Sequence, residues 1–577
     1  MVEDKLLDAL QLPKDTDEEE ISSAITALLT SAVHDAEPPK SLSEIRQLIA
    51  TADAASLLVS YQYLRRSFLI AEFQDPLNTL PLLLPCDDPN ARDIILLMGQ
   101  HCSAKEAVMA AQESVEALEH AMEAEDAGDE DDNEGKKAED GPVKVRSHIG
   151  QLLILLDIYA LAIPRLHLRR KSAEETLRPL CKELEAVIRY ASVQLRLAQG
   201  RSALSKIANL TTCMWKWVQN SVSAEAGEDI RACQLILKAL LDNSLVACEQ
   251  FLQASSAQRA LEACFPRLAG RSRLDPQWEE GERIISELID SYESLGLRTD
   301  GNVRSCSAID LLVATHRNWK EEIVDKELPF LLPALVSSIQ SNSFLDQALA
   351  ILIKSLHARL SRATPKDLPE EIAVPLYSVV PSIASIHPDP SVRHQAFRVL
   401  SLLLSSESPR LRFQHLVELT GHSEYPPMRV AAVGLVKDSV LRALSDPTKK
   451  DDPFLSPLFL RSFGPILFRP DPPDLFDSTT LDITEFQETH EPRRLAEALS
   501  LYYVLLQADQ KNATGIRDKD VMRSIENNLL APLRRNLDKW MDDPAVSQSH
   551  LHDIASIAAL QISLERISDV QAKLINE

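Results

Sequence analysis

Apolar residues recur three and four positions apart along most of this chain, the period of amphipathic helices. In DEEEISSAITALLTSAV, Ile21, Ile25 and Leu28/Leu29 share one face, and Thr16 with Glu19 has the spacing of a capping box that opens a helix. A second helical pair is expected at Ser41–Ala50 and Ala54–Leu69. PLNTLPLLLPCDDPN reads as a turn-rich connector, because Pro81 and Pro85 remove backbone donors. A helix from Ser103 to about Met122 runs into an acidic stretch almost without apolar side chains, expected to be a disordered loop. Long helices then follow at Val145–Ile163, Ala173–Leu197, Ala203–Gln219, Asp229–Leu252 and Gln277–Leu295. The broad apolar face of DIRACQLILKALLDNSLVACEQFL implies burial between neighbouring helices. Trp215 and Trp217, two apart on a helix, face different directions and read as packing residues.

Two later segments repeat. HPDPSVRHQAFRVLSLLL and HSEYPPMRVAAVGLVKDS align with an offset of 36, Val392/Arg393/Ala396 against Met428/Arg429/Ala432. A proline turn, then hydrophobe and arginine, then alanine one turn on, is the pattern of a HEAT-type second helix, with the arginine expected to reach the adjoining repeat. DPFLSPLFLRSFGPILFRPDPPDLFDSTT interrupts the array and is expected to form a short helix and an extended segment lying on it. The fold class expected is all-α, an irregular HEAT/armadillo-like α-solenoid of stacked antiparallel helix pairs. Its divisions are N-terminal repeats over 1–122, the acidic loop over 123–142, central repeats over 143–380 and a C-terminal HEAT-like region over 381–577.

Composition agrees with this. Only 15 of 577 residues are glycine, against a usual share of about 7 %, and the β-branched runs of strands are scarce. Of the formal charge of −25, residues 123–140 hold −8; such a surface repels phosphate backbones, so no nucleic-acid partner is expected. The eight cysteines lie within helical patterns without a CxxC pair and read as reduced core residues of a cytoplasmic, or also nuclear, protein. No secretory signal is visible in MVEDKLLDAL. Gln151–Pro164, the most apolar segment, is too short to span a bilayer and contains Asp157, so no membrane partner is expected.

Catalytic motifs are missing: there is no GxxxxGK[ST], strand-borne GxGxxG, HExxH or GxSxG. His550 and His552 lack further metal ligands nearby, and His101–Cys102 lacks an orienting partner in sequence. The expectation is a binding protein, not an enzyme, without cofactor or metal.

The stretch KNATGIRDKDVMRSIENNLLAPLRRNLDKW carries the strongest signal. Gly515 is suited to a turn with positive φ. On a helical wheel Ile525, Leu529, Leu530, Leu533, Leu537 and Trp540 form an apolar arc, with Asn527, Asn528, Arg534, Arg535, Asp538 and Lys539 opposite. Pro532 should kink or break that helix, and Glu526, inside the apolar arc, needs a partner such as Arg523 or a residue of a neighbouring helix. Residues 493–541 hold nine Lys/Arg against six Asp/Glu, a local +3 that suits an acidic partner.

NATGI followed after eight residues by IENNLLAPLRRNL resembles the C-terminal signature of the glomulin family, which includes fungal YAP-binding proteins and the plant aberrant-lateral-root-formation protein. ALSLYYVLLQADQKN, MRVAAVGLVKD and SPLFLRSFGPILFRPDPP occur in the family's order, and the close resemblance covers roughly 385–540. It implies a HEAT-like regulator that binds the RING-box subunit of cullin-RING ubiquitin ligases and covers the docking surface of the ubiquitin-conjugating enzyme. The fungal relatives imply an alternative, an adaptor for a bZIP-type transcription factor in the oxidative stress response; a generic helical-repeat scaffold is the third reading. The residues assigned to the partner-binding surface are Asn512, Arg523, Asn527, Asn528, Arg534, Arg535 and Lys539.

Overall fold

The computed structural model describes residues 18–56, 75–127, 145–168, 170–222, 227–267, 276–296, 306–316, 321–362, 367–445, 452–476, 481–541 and 551–576, with a few positions before residue 18. Residues 57–69 of the expected Ala54–Leu69 helix, most of the acidic loop and His550 lie outside these residues. In chain order the first helices are α1 (Glu18–His34), α2 (Leu42–Ser56), α3 (Pro76–Leu83), α4 (Pro89–His101), α5 (Ala104–Ala127), α6 (His148–Ala162), α7 (Ala173–Gln194), α8 (Leu197–Ser221) and α9 (Gly227–Ala247). They continue with α10 (Ser256–Cys264), α11 (Trp278–Ser294), α12 (Ala308–His316), α13 (Glu321–Ser341), α14 (Leu345–Leu360), α15 (Glu370–Ile386) and α16 (Pro390–Ser406). The last are α17 (Pro409–Gly421), α18 (Pro426–Ser445), α19 (Pro457–Leu467), α20 (Ile483–Glu488), α21 (Glu491–Ala508), α22 (Lys519–Ile525), α23 (Ala531–Met541) and α24 (Leu551–Asn576). Among the described residues the only β pairing is an isolated bridge between Cys86 and Val145.

The chain divides into two compact units, one of Met1–Ser255 with Arg273–His316, the other of Ser256–Ser272 with Arg317–Glu577. In the first, α1, α3, α5, α7, α9 and α12 contact one another in sequence as one layer, and α2, α4, α6, α8 and α11 form the other. In the second, α10, α14 and α16 stack in one layer and α13, α15, α18, α21 and α24 in the other. Each helix thus buries its apolar face against the pair before and after it, the solenoid arrangement expected from the periodicity.

Proline accounts for much of the punctuation, in a different way from the one expected. Asp75–Pro76, Asp88–Pro89, Asp389–Pro390 and Ser408–Pro409 all place an N-cap side chain before a proline in the first turn. Proline lacks a donor that would be orphaned there in any case. The expected connector PLNTLPLLLPCDDPN is therefore mostly the two helices α3 and the start of α4. Pro81 sits exposed within α3, so the bond it forfeits lies on the solvent side.

The apolar segment of α6 reaches 18 residues, His148–Arg165, once its closing 3₁₀ turn is counted, longer than the sequence suggested. Half of it is buried within the unit, with Leu155 and Tyr159 fully enclosed and Asp157 paired with Lys206 of α8. Trp215 and Trp217 are both buried, and Trp217 Nε1 donates to the Leu166 carbonyl at 2.9 Å. Five cysteines are buried, whereas Cys213, Cys264 and Cys306 are half-exposed rather than core residues.

The repeat alignment holds at its alanines and arginines, with one correction, while Met428 is buried and Val392 only half-buried. Ala396 and Ala432 are both fully buried. Arg393 Nη1 donates to the His387 carbonyl at 2.6 Å and Arg429 Nε to the Ser423 carbonyl at 2.8 Å, each six residues back. Arg393 is thus bound to its own turn, and Arg429 additionally reaches Asp471 at 3.0 Å. The arginines tie down the turns because their long side chains fold back over the first helical turn onto carbonyls the helix leaves unpaired.

Two further contacts lock helix ends. The Asp346 carboxylate of α14 accepts from Ser256 N at 2.7 Å and Ala257 N at 2.9 Å, capping α10 from another helix. Gly281 of α11 lies so close to the chain that a Cβ there would sit 1.9 Å from the Leu252 carbonyl oxygen. We expect Asp346→Ala to cost about 1–3 kcal/mol, because it strands two donors, and Asp346→Asn to cost less; denaturant midpoints at unchanged m-value measure both. Gly281→Ala should destabilise despite alanine's better helix propensity, since backbone must move to admit the methyl, and a thermal melt reads this directly.

Candidate partner-binding site

The C-terminal stretch begins with α21, which places Leu495, Leu499, Tyr502 and Leu506 in the core. The NATGI turn comes next. Asp509, almost fully buried, accepts from Ala513 N at 2.8 Å, Thr514 N at 2.9 Å and Thr514 Oγ1 at 2.7 Å. Asn512 donates from Nδ2 to Asp518 and accepts from Arg517 N through Oδ1. Arg517 Nε donates to the Leu506 carbonyl at the end of α21. Gly515 has φ +82°, as its position in the turn required, and Asn512 itself has φ +51°. Asn512 is therefore part of a hydrogen-bonded knot that turns the chain.

Ile525, Leu529, Leu530, Leu533, Leu537 and Trp540 are all buried, as the helical wheel placed them. Pro532 breaks the α-helical register one turn earlier than its own position: Glu526–Leu530 is a π-helical turn between α22 and α23, with Ala531 N donating to the Glu526 carbonyl. A proline clashes with the carbonyl four residues back and gives it no donor, and the wider turn absorbs the misfit. Glu526 pairs with Arg534, in place of the suggested Arg523. Arg534 Nη2 also lies 3.3 Å from Ser568 Oγ of α24.

The assigned surface residues therefore occupy different environments. Arg523, Asn527, Asn528, Arg535 and Lys539 are exposed along one helical run, whereas Asn512 and Arg534 are half-buried and engaged within the chain. Arg523 makes only a 3.9 Å contact with Asp520, both strongly exposed, and Asn528 Nδ2 donates to Ser524 Oγ at 3.1 Å.

Sequence reasoning missed what holds this surface in place. Arg494 of α21 is buried and bidentate to Glu491, at 2.5 and 2.8 Å. It also donates to the carbonyls of Ile466 at 2.7 Å and Arg469 at 2.6 Å, closing the C-terminal end of α19. The DPFLSPLFL segment forms the 3₁₀ turn Pro453–Leu455 and α19; Phe454, Phe459 and Phe463 are fully buried. Phe413 packs edge-on against Phe454 and Phe463, at centroid separations of 5.2 and 5.1 Å. Beyond α19 the chain makes turns and then α20, whose Phe486 lies against Trp540 at 5.0 Å, so the segment after α19 is less extended than expected. The signal for Arg494 was an ExxR pair at the start of a helix, which sequence alone cannot distinguish from a solvated i,i+3 pair.

A groove of about 230 Å³ lies between α19 and the α22–π segment. Leu460, Gly464, Phe468 and Arg469 form one wall, Ser524 and Asn528 part of the other. No group of three or more His, Cys, Asp or Glu side chains positioned for a metal occurs among the described residues.

Stacked helix pairs carrying an exposed polar run make this region a helical-repeat array. Residues 323–571 match the model of the family described as YAP/Alf4/glomulin, an uncharacterised protein family. The resemblance to the glomulin and YAP-binding proteins thus holds from α13 into α24, further in both directions than the motifs alone reached. A search of curated proteins gave no match.

Replacing Arg494 with Ala leaves Glu491 buried without its cation and two carbonyls without a donor; a loss of about 3–5 kcal/mol is expected. Urea denaturation of the full chain measures it, and Arg494→Lys should recover only part, since one ammonium cannot make the forked contact.

Proposed function

We propose that this chain is a non-enzymatic regulator that binds the RING-box subunit of cullin-RING ubiquitin ligases through its C-terminal region and blocks docking of the ubiquitin-conjugating enzyme. The family match over residues 323–571 carries this reading. Inhibition by covering a surface requires no reacting group, only a rigid face of suitable shape. Within the run Arg523–Lys539 Glu526 braces Arg534, while the Arg494 and Asp509 contacts fix α19, α21 and the turn that leads into the run. Its cations suit an acidic partner surface and would speed encounter in a chain of net charge −25.

A second reading, an adaptor for a bZIP-type transcription factor in oxidative stress, draws on the YAP proteins named in the family's description. A thiol relay through the core cysteines Cys181, Cys233 and Cys248 is disfavoured. Burial pushes the Cys233 and Cys248 thiols up to about 12 and raises Cys181 further still. A thiol at that value is thiolate to only about one part in ten thousand at pH 8. An adaptor of this kind would act through protein contacts.

The deciding measurement is binding to a neddylated cullin–RING-box complex, with ubiquitin-chain synthesis as readout. Micromolar chain should bind and slow synthesis, and Arg535→Glu should weaken binding by about tenfold, or ~1.4 kcal/mol. Absence of both binding and inhibition overturns the RING-box reading. Thiol titration at pH 8 separates the cysteine question: Cys181, Cys233 and Cys248 should label only after denaturation, and rapid labelling of any of them in the folded chain would restore a redox role.

A further inference from the structure

The groove beside the NATGI turn contains a feature that packing within the chain does not explain. Helix α19 carries Gly464 and Pro465 in its last turn. Glycine there forfeits helix propensity relative to alanine, and proline forfeits a backbone hydrogen bond. Crowding is not the reason for the glycine: a Cβ built on Gly464 meets nothing within 4 Å, whereas one on Gly421 would press on Ile466 at 2.9 Å. The empty space over Gly464 is the groove itself, floored by Leu460 and Phe468 and walled opposite by Val521 and Ile525.

The one charged side chain lining the groove is a cation, with further cations nearby. Arg469 lines the groove, and exposed Arg461 lies one turn before Pro465 on the same stripe of α19. Exposed Lys519 and Arg523 stand on α22. Of the acidic groups nearby, Asp518 accepts from Asn512, Asp471 pairs with Arg429, Asp520 lies within 3.9 Å of Arg523, and exposed Asp474 follows Arg469 by five residues, which leaves four cations against three carboxylates once Asp471 is paired with Arg429. Within a chain of net charge −25, this surplus selects for negative charge on whatever approaches.

We propose that this groove is a docking site for a short acidic segment of a partner protein, which inserts one bulky apolar side chain over Gly464 while Arg461 and Arg469 take flanking carboxylates. The volume of about 230 Å³ admits one large side chain and not a folded element. Absence of a side chain at Gly464 lets that group reach the backbone of α19, and the Ser524–Asn528 pair supplies polar contacts at the far wall. Arg535 does not line the groove, although Asn528 belongs to both surfaces, and the proposal does not depend on the identity of a RING partner.

The test is selection of a random twelve-residue display library on the full chain, followed by fluorescence anisotropy with the enriched peptides. Enriched peptides should be net negative with one large apolar residue. Their affinity should fall at least tenfold in both Gly464→Leu, which fills the groove, and Arg469→Glu, which reverses the rim. Gly464→Ala serves as the folding control, with a melting temperature no lower than the parent's. Should Gly464→Leu fail to fold, the exposed Arg469→Glu carries the result alone. Arg535→Glu should leave peptide affinity within twofold, and failure of the parent chain to bind the RING-box complex while the peptides still bind sinks only the previous reading. No enrichment, enrichment of net-positive peptides, or affinity indifferent to Arg469→Glu overturns the groove.

Discussion

A stack of helices exposes a problem at every turn: the last carbonyls and first amides of each helix face the neighbouring pair, where water cannot always reach them. This chain answers it mainly with buried arginines. Arg146 donates to the Leu84 carbonyl, Arg201 to Phe251 and Leu252, Arg359 to Asp367, Arg412 to Glu407, and Arg494 to Ile466 and Arg469. All five are at least nine-tenths buried. A guanidinium suits the role because its several donors can spread over two carbonyls at once, as at Arg201 and Arg494. Asp346 and Asp509 do the same for amides. Without these side chains the apolar faces would still attract, but the turns between them would have no fixed geometry.

The same constraint explains the C-terminal surface. Arg494 closes α19 and holds it to α21, the Asp509 knot fixes the exit from α21, and the π turn sets where α22 gives way to α23. The signature NATGI followed by IENNLLAPLRRNL is therefore largely a structural device. Asn512, Thr514 and Gly515 make a turn, and Glu526 with Arg534 braces the widened helical register. What the device presents outward is a shorter set, Arg523, Asn527, Asn528, Arg535 and Lys539, together with the groove over Gly464. A surface of this kind supports protein recognition because it is held rigid before a partner arrives, which lowers the entropy lost on binding.

Charge was the least legible property. Glu526 was recognisable as needing a partner, since a carboxylate inside an apolar arc must be paired. Its partner was not, because the π turn changes which residues lie above one another, bringing Arg534 within reach where an undisturbed α-helix would favour positions three or four away. Arg393 and Arg429 were legible as equivalent to each other, but not as bound to their own turns. Proline was ambiguous for a related reason: Pro76 and Pro89 look like breakers in isolation and become helix starts only once Asp75 and Asp88 are seen capping them.

The all-helical character of the chain, the buried arc Ile525 to Trp540, the HEAT-like repeat at an offset of 36 and the turn at Gly515 followed from the sequence alone. Each depends on local period or local backbone preference, which a few consecutive residues express completely. Tertiary structure decided which charges are interior, which carbonyls they satisfy, and where two distant segments, Pro457–Leu467 and Lys519–Ile525, leave a groove between them. Those outcomes depend on the approach of side chains separated by tens of residues, and one-dimensional spacing carries no record of that approach.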